Sequence, residues 1–245
     1  MPEIDFLKVI TIIPARGGSK GVVRKNARML GDFSLLQRAI QQALEAKMTG
    51  TIVVTTEDDE LYAQACKYEE VIVLRRPAAL ATDGARSIDV VVHVLDSLGA
   101  KGRVFDAVCL LQPTSPFRVP TKIDEAIRLL DDTSVETVLS VVAVPHQYNP
   151  AWVFVGVDGQ LLEQAVPGPL ITRRQELPSA WIRDGAVYVN RISSLRQNQS
   201  FVSAPIGYIE NACSASINID TLEDWEAAET YIACLGRSND VKSSV

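Results

Sequence analysis

Apolar positions in the first half of the chain follow two alternating rhythms. The runs Lys8–Pro14 (KVITIIP), Thr51–Thr56 (TIVVTT), Val71–Leu74 and Asp106–Gln112 (DAVCLLQ) are hydrophobic at almost every position, as strands buried on both faces are. Between them, Leu35–Ala46, Asp58–Tyr68, Ser87–Leu98 and Pro120–Leu130 repeat their apolar residues at helical spacing. Ser34 is placed to cap the first of these helices. The acidic start of the second suits the helix dipole, and Pro120 suits a first helical turn. Strand–helix alternation predicts an α/β fold of three layers, a mostly parallel central sheet with helices on both faces. Ligands of such sheets bind beyond the carboxyl ends of the strands. The segments after Pro14 and around Gln112–Arg118 are therefore expected on a ligand-binding rim.

The second half changes character. Thr137–Val144 reads as a further strand. The stretch from Pro145 to Leu170 is rich in proline and glycine and contains an exposed-looking strand, Trp152–Val157. Its hairpin character and aromatic content suit a small dimerisation arm over about 144–178, with a long surface loop as the plainer alternative. Gly185–Asn190 (GAVYVN) and Ile206–Ile209 return as strands, and Thr221–Leu235 closes the chain as an amphipathic helix. Residues 1–236 are read as one domain, and 237–245 as a frayed polar tail.

A chain of 245 residues with 47% hydrophobic and 22% charged residues has ordinary globular composition. Its formal net charge of −6 makes it a poor nucleic-acid binder, although basic residues gathered in one place can still hold an anionic ligand. Cys66, Cys109, Cys213 and Cys234 form no CxxC pair, and there are only two histidines, so a zinc site is not expected. Cys109, in an apolar run, reads as a small buried hydrophobe. The N-terminal stretch lacks the features of a signal peptide and no run of about 20 apolar residues occurs. The expectation is a cytoplasmic protein without a membrane span.

The segment Pro14–Gly21 (PARGGSKG) follows the first buried strand directly and is itself followed by Arg24-Lys25-Asn26. Its glycines let the backbone turn tightly and present N–H groups to an anion. Arg16, Lys20, Arg24 and Lys25 place four cations within ten residues. A triphosphate needs both features. The spacing is neither that of a Walker A loop nor GxGxxG.

IPARGGSKGVVRKN (13–26) resembles the N-terminal signature of the CMP-sialic acid synthetases, the acylneuraminate cytidylyltransferases. Arg76-Pro77 with Leu80-Ala81-Thr82-Asp83 and Ser87-Ile88, then LLQPTSPFR (110–118), RRQELP (173–178), GAVYV (185–189) and INIDTLEDW (217–225), resemble later blocks of that family in the family's order. The resemblance implies a Rossmann-like fold and cytidylyl transfer from CTP to a sialic-acid-like sugar acid. It implies that Arg16, Ser19, Lys20 and Lys25 contact the triphosphate, with Arg16 and Lys25 in the catalytic role, that Asn26 lies near the nucleotide, and that Arg76 and Ser87 meet the base. Gln112 and Tyr188 are implied at the sugar. Arg174 is implied to reach across a homodimer to the partner's sugar site.

Alternation puts Asn218 and Asp220 on one face of an extended segment, where the family usually has two aspartates that bind Mg²⁺. One amide and one carboxylate give the ion less charge here. A second departure is Asp184, where the family commonly has asparagine: an aspartate at the sugar would repel a carboxylate and welcome hydroxyls or an amine. The family's cation near Pro150-Ala151-Trp152 is also missing. Two other readings therefore stand beside the first: a relative that activates a sugar 1-phosphate with another nucleotide such as GTP, and a non-catalytic nucleotide-binding relative.

Overall fold

A computed structural model describes residues 7–213 and 216–242, with residues 236–242 as backbone. Eleven strands and six α-helices are assigned. They run β1 (Val9–Pro14), β2 (Met29–Leu30), β3 (Phe33–Ser34), α1 (Leu35–Glu45), β4 (Thr51–Thr56), α2 (Asp59–Ala65), β5 (Val71–Arg75), α3 (Ser87–Gly99), β6 (Ala107–Leu110), α4 (Pro120–Asp132) and β7 (Thr137–Ala143). They continue as β8 (Phe154–Gly156), β9 (Leu162–Gln164), β10 (Trp181–Arg191), α5 (Ile192–Asn198), β11 (Ile206–Glu210) and α6 (Leu222–Lys242). Seven strands form one sheet in the order β11-β7-β10-β6-β1-β4-β5. Its neighbours pair in parallel except at β10, which runs antiparallel to both β6 and β7.

The β1 side chains explain the three layers. Val9 and Ile13 join a core with α1, α2 and α4 on one face, while Ile10 and Ile12 join a core with α3 and α5 on the other. This is the period of two expected for a strand covered on both sides. The predicted cap of α1 is present: Gln37 N donates to Ser34 Oγ at 3.2 Å, and Ser34 N donates to the Gln37 side chain at 2.9 Å, closing a capping box.

Three elements depart from the sequence reading. The strand expected over Gly185–Asn190 spans Trp181–Arg191, with a register shift between Arg183 and Tyr188 and a left-handed Gly185 at φ 79°. Such a bulge hides the strand's start from any alternation pattern. The closing helix runs to Lys242, so residues 237–242 are helical; a lone Gly236 costs only about 1 kcal/mol and does not stop a helix. Residues 243–245 lie outside the described residues. In the arm, the strand is shorter than expected: β8 pairs antiparallel with β9. Trp152 stands outside β8, half-buried, and its indole donates to the Ile171 carbonyl at 2.7 Å.

A third, smaller core joins the two ends of the chain. Val22, Leu30 and Leu35 pack with Ile219, Trp225 and Ala228. It clamps the Gly-rich loop against the segment that carries Asp220. The approach is close: a Cβ on Gly21 would stand 1.9 Å from the Asp220 carbonyl oxygen, so only glycine fits there.

Candidate active site

A cavity of about 350 Å³ opens at the carboxyl ends of β1, β5 and β6. Of the residues expected at a nucleotide, Arg16, Lys25, Asn26, Arg76 and Ser87 line it, and so do Gln112, Asn218 and Asp220. They come from loops after three different strands, from the start of α3 and from the approach to α6. Their convergence is a property of the sheet, whose strand ends share one edge.

The cations are held apart by acids. Arg16 donates to Asp83 Oδ1 at 2.7 Å, and Lys20 pairs with Asp83 Oδ2, also at 2.7 Å. Those two cations hold the Asp83 carboxyl below the usual carboxylate range, the Lys20 bond contributing most. Asp83 thus stands where a bound anion would stand. Lys25 Nζ donates to the Ile219 carbonyl at 2.9 Å and to Asp220 Oδ1 at 2.8 Å. Arg24, in left-handed conformation at φ 53°, turns away from the cavity toward Asp58 and Glu60 at the start of α2. One of the four loop cations therefore serves the fold.

Ser19 is also drawn into the fold. Its hydroxyl donates to the Val22 carbonyl and accepts from Lys25 N at 3.1 Å, which closes the loop; it does not line the cavity. Asn26 is buried. Its amide donates to the Arg16 carbonyl at 2.9 Å and its Oδ1 has no partner. Arg76 is buried too, with one N–H donated to the Thr55 carbonyl at 2.8 Å and Nε unpartnered. Burial lowers its pKa; Glu57 opposes the shift and Arg16 adds to it. Unpartnered buried donors and acceptors are costly, and these lie on residues that line the cavity.

Asn218 Nδ2 donates to Asp220 Oδ2 at 2.9 Å, so the two expected metal ligands are side by side. No group of three or more His, Cys, Asp or Glu that could hold a metal occurs among the described residues. One carboxylate and one amide fit a hard, hydrated ion such as Mg²⁺ that arrives with phosphate oxygens, and do not form a cage of their own.

A second cavity of about 420 Å³ adjoins the first, and Gln112 and Asn218 line both. Tyr188 lines it, half-buried, with its ring centroid 6.2 Å from that of Phe201. Burial raises the pKa of its phenol. Asp184 also borders this cavity, but not as a carboxylate offered to a ligand. It is buried, and it accepts from Ser140 Oγ, from Ala186 N at 3.0 Å and from Asn211 Nδ2 at 2.6 Å. Its oxygens are taken up by the chain's own donors, which removes the expected contact between Asp184 and an acceptor's hydroxyls or amine. With it goes the main support for a sugar 1-phosphate acceptor. Arg174 lines neither cavity. It is exposed on a separate surface cleft with Val144, Trp181 and Glu210.

Arg118 is a residue whose function the sequence leaves unread. It is buried, and it donates to the carbonyls of Ala186 (2.5 Å) and Gln112 (2.8 Å) and to Gln42 Oε1 (2.7 Å). Burial pushes its pKa down to about 10. It ties the segment that follows β6 to β10. Asp83 was likewise visible only as part of a motif; nothing in its spacing pointed to Arg16 and Lys20.

Comparison with known proteins agrees with this geometry. The family model described as Cytidylyltransferase matches residues 10–205. The CMP-N,N'-diacetyllegionaminic acid synthase of Legionella pneumophila is 33% identical over 91% of this chain and 95% of its own length. The N-acylneuraminate cytidylyltransferase of Escherichia coli is also 33% identical, over 91% of this chain and 52% of its own length. In fold, the chain superposes on a CMP:2-keto-3-deoxy-manno-octonic acid synthetase complexed with CTP, with a TM-score of 0.69 at 17% identity, covering 92% of this chain and 98% of that one. Matched along most of its length in sequence and in fold, this chain belongs to the cytidylyltransferase family.

Proposed function

We propose that this protein transfers a cytidylyl group from CTP to a sialic-acid-like sugar acid, giving the CMP-sugar and pyrophosphate. The observation that carries the reading is the continuity of the two cavities through Gln112 and Asn218. The cationic side suits a nucleoside triphosphate, and the adjoining side has room for an acceptor. The two sequence relatives, a CMP-N,N'-diacetyllegionaminic acid synthase and an N-acylneuraminate cytidylyltransferase, support the acceptor class.

On this reading the triphosphate takes Arg16 and Lys25 from their carboxylate partners, and Lys20 joins once Asp83 gives way. Arg76 and Ser87 meet the base beside Asn26. The anomeric hydroxyl oxygen of the acceptor attacks the α-phosphorus in line with the leaving group. The α–β phosphoanhydride bond breaks, pyrophosphate departs, and the hydroxyl proton passes to solvent. Arg16 and Lys25 act as the catalytic cations by neutralising charge that moves onto the leaving pyrophosphate. Asp220 and Asn218 would hold Mg²⁺, which when bound polarises the phosphate oxygens. Gln112 and Tyr188 contact the sugar.

We further infer a homodimer joined through the 144–178 arm, in which residues 1–236 work as one domain and Arg174 serves the partner's sugar site. The exposed apolar residues of the arm support this, among them Phe154, Val155, Leu161 and Leu162. No helix among the described residues is long and apolar enough to cross a membrane. A cytoplasmic location follows from the reading, since CTP is drawn from the cytoplasmic nucleotide pool.

Pyrophosphate release tests the proposal. CTP, UTP, ATP and GTP are each supplied with N-acetylneuraminate, with N,N'-diacetyllegionaminate, or with a sugar 1-phosphate. Release is expected with CTP and a sugar acid. Release confined to GTP and a sugar 1-phosphate would overturn the reading.

A further inference from the structure

A sugar acid brings a carboxylate into the second cavity, and a carboxylate removed from water needs a cation. Every cation that serves the nucleotide cavity already has a partner in the fold. Arg16 and Lys20 share Asp83, Lys25 is on Asp220, and Arg76 is on the Thr55 carbonyl. Arg174 is on another cleft.

Arg183 differs from all of these. It lines the second cavity with Gln112, Val142, Ile182, Tyr188 and Asn218. It is exposed, and no hydrogen bond or ion pair of its guanidinium occurs among the described residues. The acid beside it in sequence forms no ion pair with it among the described residues, since the Asp184 oxygens accept from Ser140, Ala186 and Asn211. The backbone sets this division. Arg183 keeps its register opposite Val141 of β7, and the bulge with left-handed Gly185 then follows before Tyr188 restores the pairing. Two adjacent residues are thereby parted: the carboxylate is buried among donors and the guanidinium is left at the cavity. At Tyr188, burial raises the phenol's pKa, the charge of Arg183 opposes that rise and the charge of Asp184 adds to it.

We propose that Arg183 binds the carboxylate of the acceptor sugar acid from within the same subunit, as the specificity-determining cation of the second cavity. The guanidinium fork matches a carboxylate with two parallel N–H···O bonds. This rests on the reading that the acceptor is a sugar acid. It also gives the sugar half of the site the cation that the arm lacks around Pro150-Ala151-Trp152.

The test compares wild type with Arg183→Ala and Arg183→Gln, using CTP with N-acetylneuraminate or N,N'-diacetyllegionaminate and with the corresponding carboxamides. Loss of a charge-assisted bond should raise KM for the acid at least about tenfold. KM for CTP and Tm should stay unchanged, because the side chain is exposed and outside the nucleotide cavity. Wild type should prefer the acid over its carboxamide, and both variants should lose that preference. Arg183→Lys should recover part of it. An unchanged acceptor KM and an intact acid preference in the variants, alongside an active wild type, would overturn the role of Arg183 and leave the sugar-acid reading standing. A wild type that releases no pyrophosphate with any sugar acid would overturn the reading, and this inference with it.

Discussion

Asp220 accepts from Lys25 Nζ and from Asn218 Nδ2, so both of its oxygens have a partner before any nucleotide arrives. With only one carboxylate at the site, Mg²⁺ should bind the nucleotide first and dock against Asp220 as a complex. Asp220→Ala is expected to cut turnover by about 100-fold or more, the scale of losing a transition-state charge contact. Asn218→Asp adds a second carboxylate and should lower the Mg²⁺ concentration needed for half-maximal pyrophosphate release. A fully active Asp220→Ala, or a rate that a chelator leaves untouched, would remove the ion from this edge of the cavity. That Asn218 and Asp220 would stand together, and that Arg16 and Lys25 would line the cavity, was legible because motif and charge lie contiguously in the chain. Asp184 and Ser19 were not. Whether a polar side chain is offered to a ligand depends on which donors and acceptors fold against it, and the Ser140 hydroxyl that occupies Asp184 comes from another strand. The availability of Arg183 is harder still to read, since it is a property of what fails to approach.

At the scale of elements, the N-terminus of α6 positions Asp220 at the rim of the cavity. Asp224 Oδ2 accepts from Asp220 N at 2.9 Å and Thr221 N at 2.8 Å, while Asp224 N donates to Thr221 Oγ1 at 3.2 Å. The Asp220 backbone bond does most to lower the Asp224 pKa, with Thr221 and Lys25 helping. The carboxyl therefore titrates lower in the fold than in the unfolded chain. Its stabilisation is complete above the unfolded value of about 3.9 and is lost as pH falls through the lowered folded value. Asp224→Ala should cost about 1 kcal/mol of stability, as a lost cap does. Measured by urea unfolding, that deficit should be the same from about pH 6 to pH 8. It should also raise the Mg²⁺ requirement by loosening Asp220. A deficit that changes across that window, or a Mg²⁺ response equal to wild type, would separate the cap from the site. Helix starts of this kind are local and could be read from Thr221, Glu223 and Asp224, as α1 could from Ser34. The antiparallel insertion of β10 between β6 and β7 could not, because strand order is decided by long-range pairing and leaves no mark on a single run of residues.

For the whole molecule, the cleft that holds Arg174 is separate from both cavities of its own subunit, so the proposed role at a sugar requires a partner subunit. Among the described residues the β8–β9 hairpin pairs with no other strand, and it and its surroundings expose Leu161, Leu162, Val166 and Leu170. Trp181 on β10 and Tyr208 on β11, with ring centroids 5.1 Å apart, are also exposed. A two-fold dimer would cover such a surface with its own copy, and light scattering at low micromolar concentration should give twice the monomer mass. Mixed dimers then test the direction of the contact. Arg174→Ala and Lys25→Ala homodimers should each be nearly inactive. If Arg174 acts across the interface, a mixed dimer has one complete site: the Arg174→Ala subunit keeps its own Lys25 and receives Arg174 from its partner. The other site lacks both residues. Random pairing of equal amounts makes about half the dimers mixed, so about a quarter of wild-type activity should return. If Arg174 acts within its own subunit, neither site of the mixed dimer is complete and nothing returns. A fully active monomer, or a mixture no better than its parents, would leave Arg174 without a role in a neighbouring site.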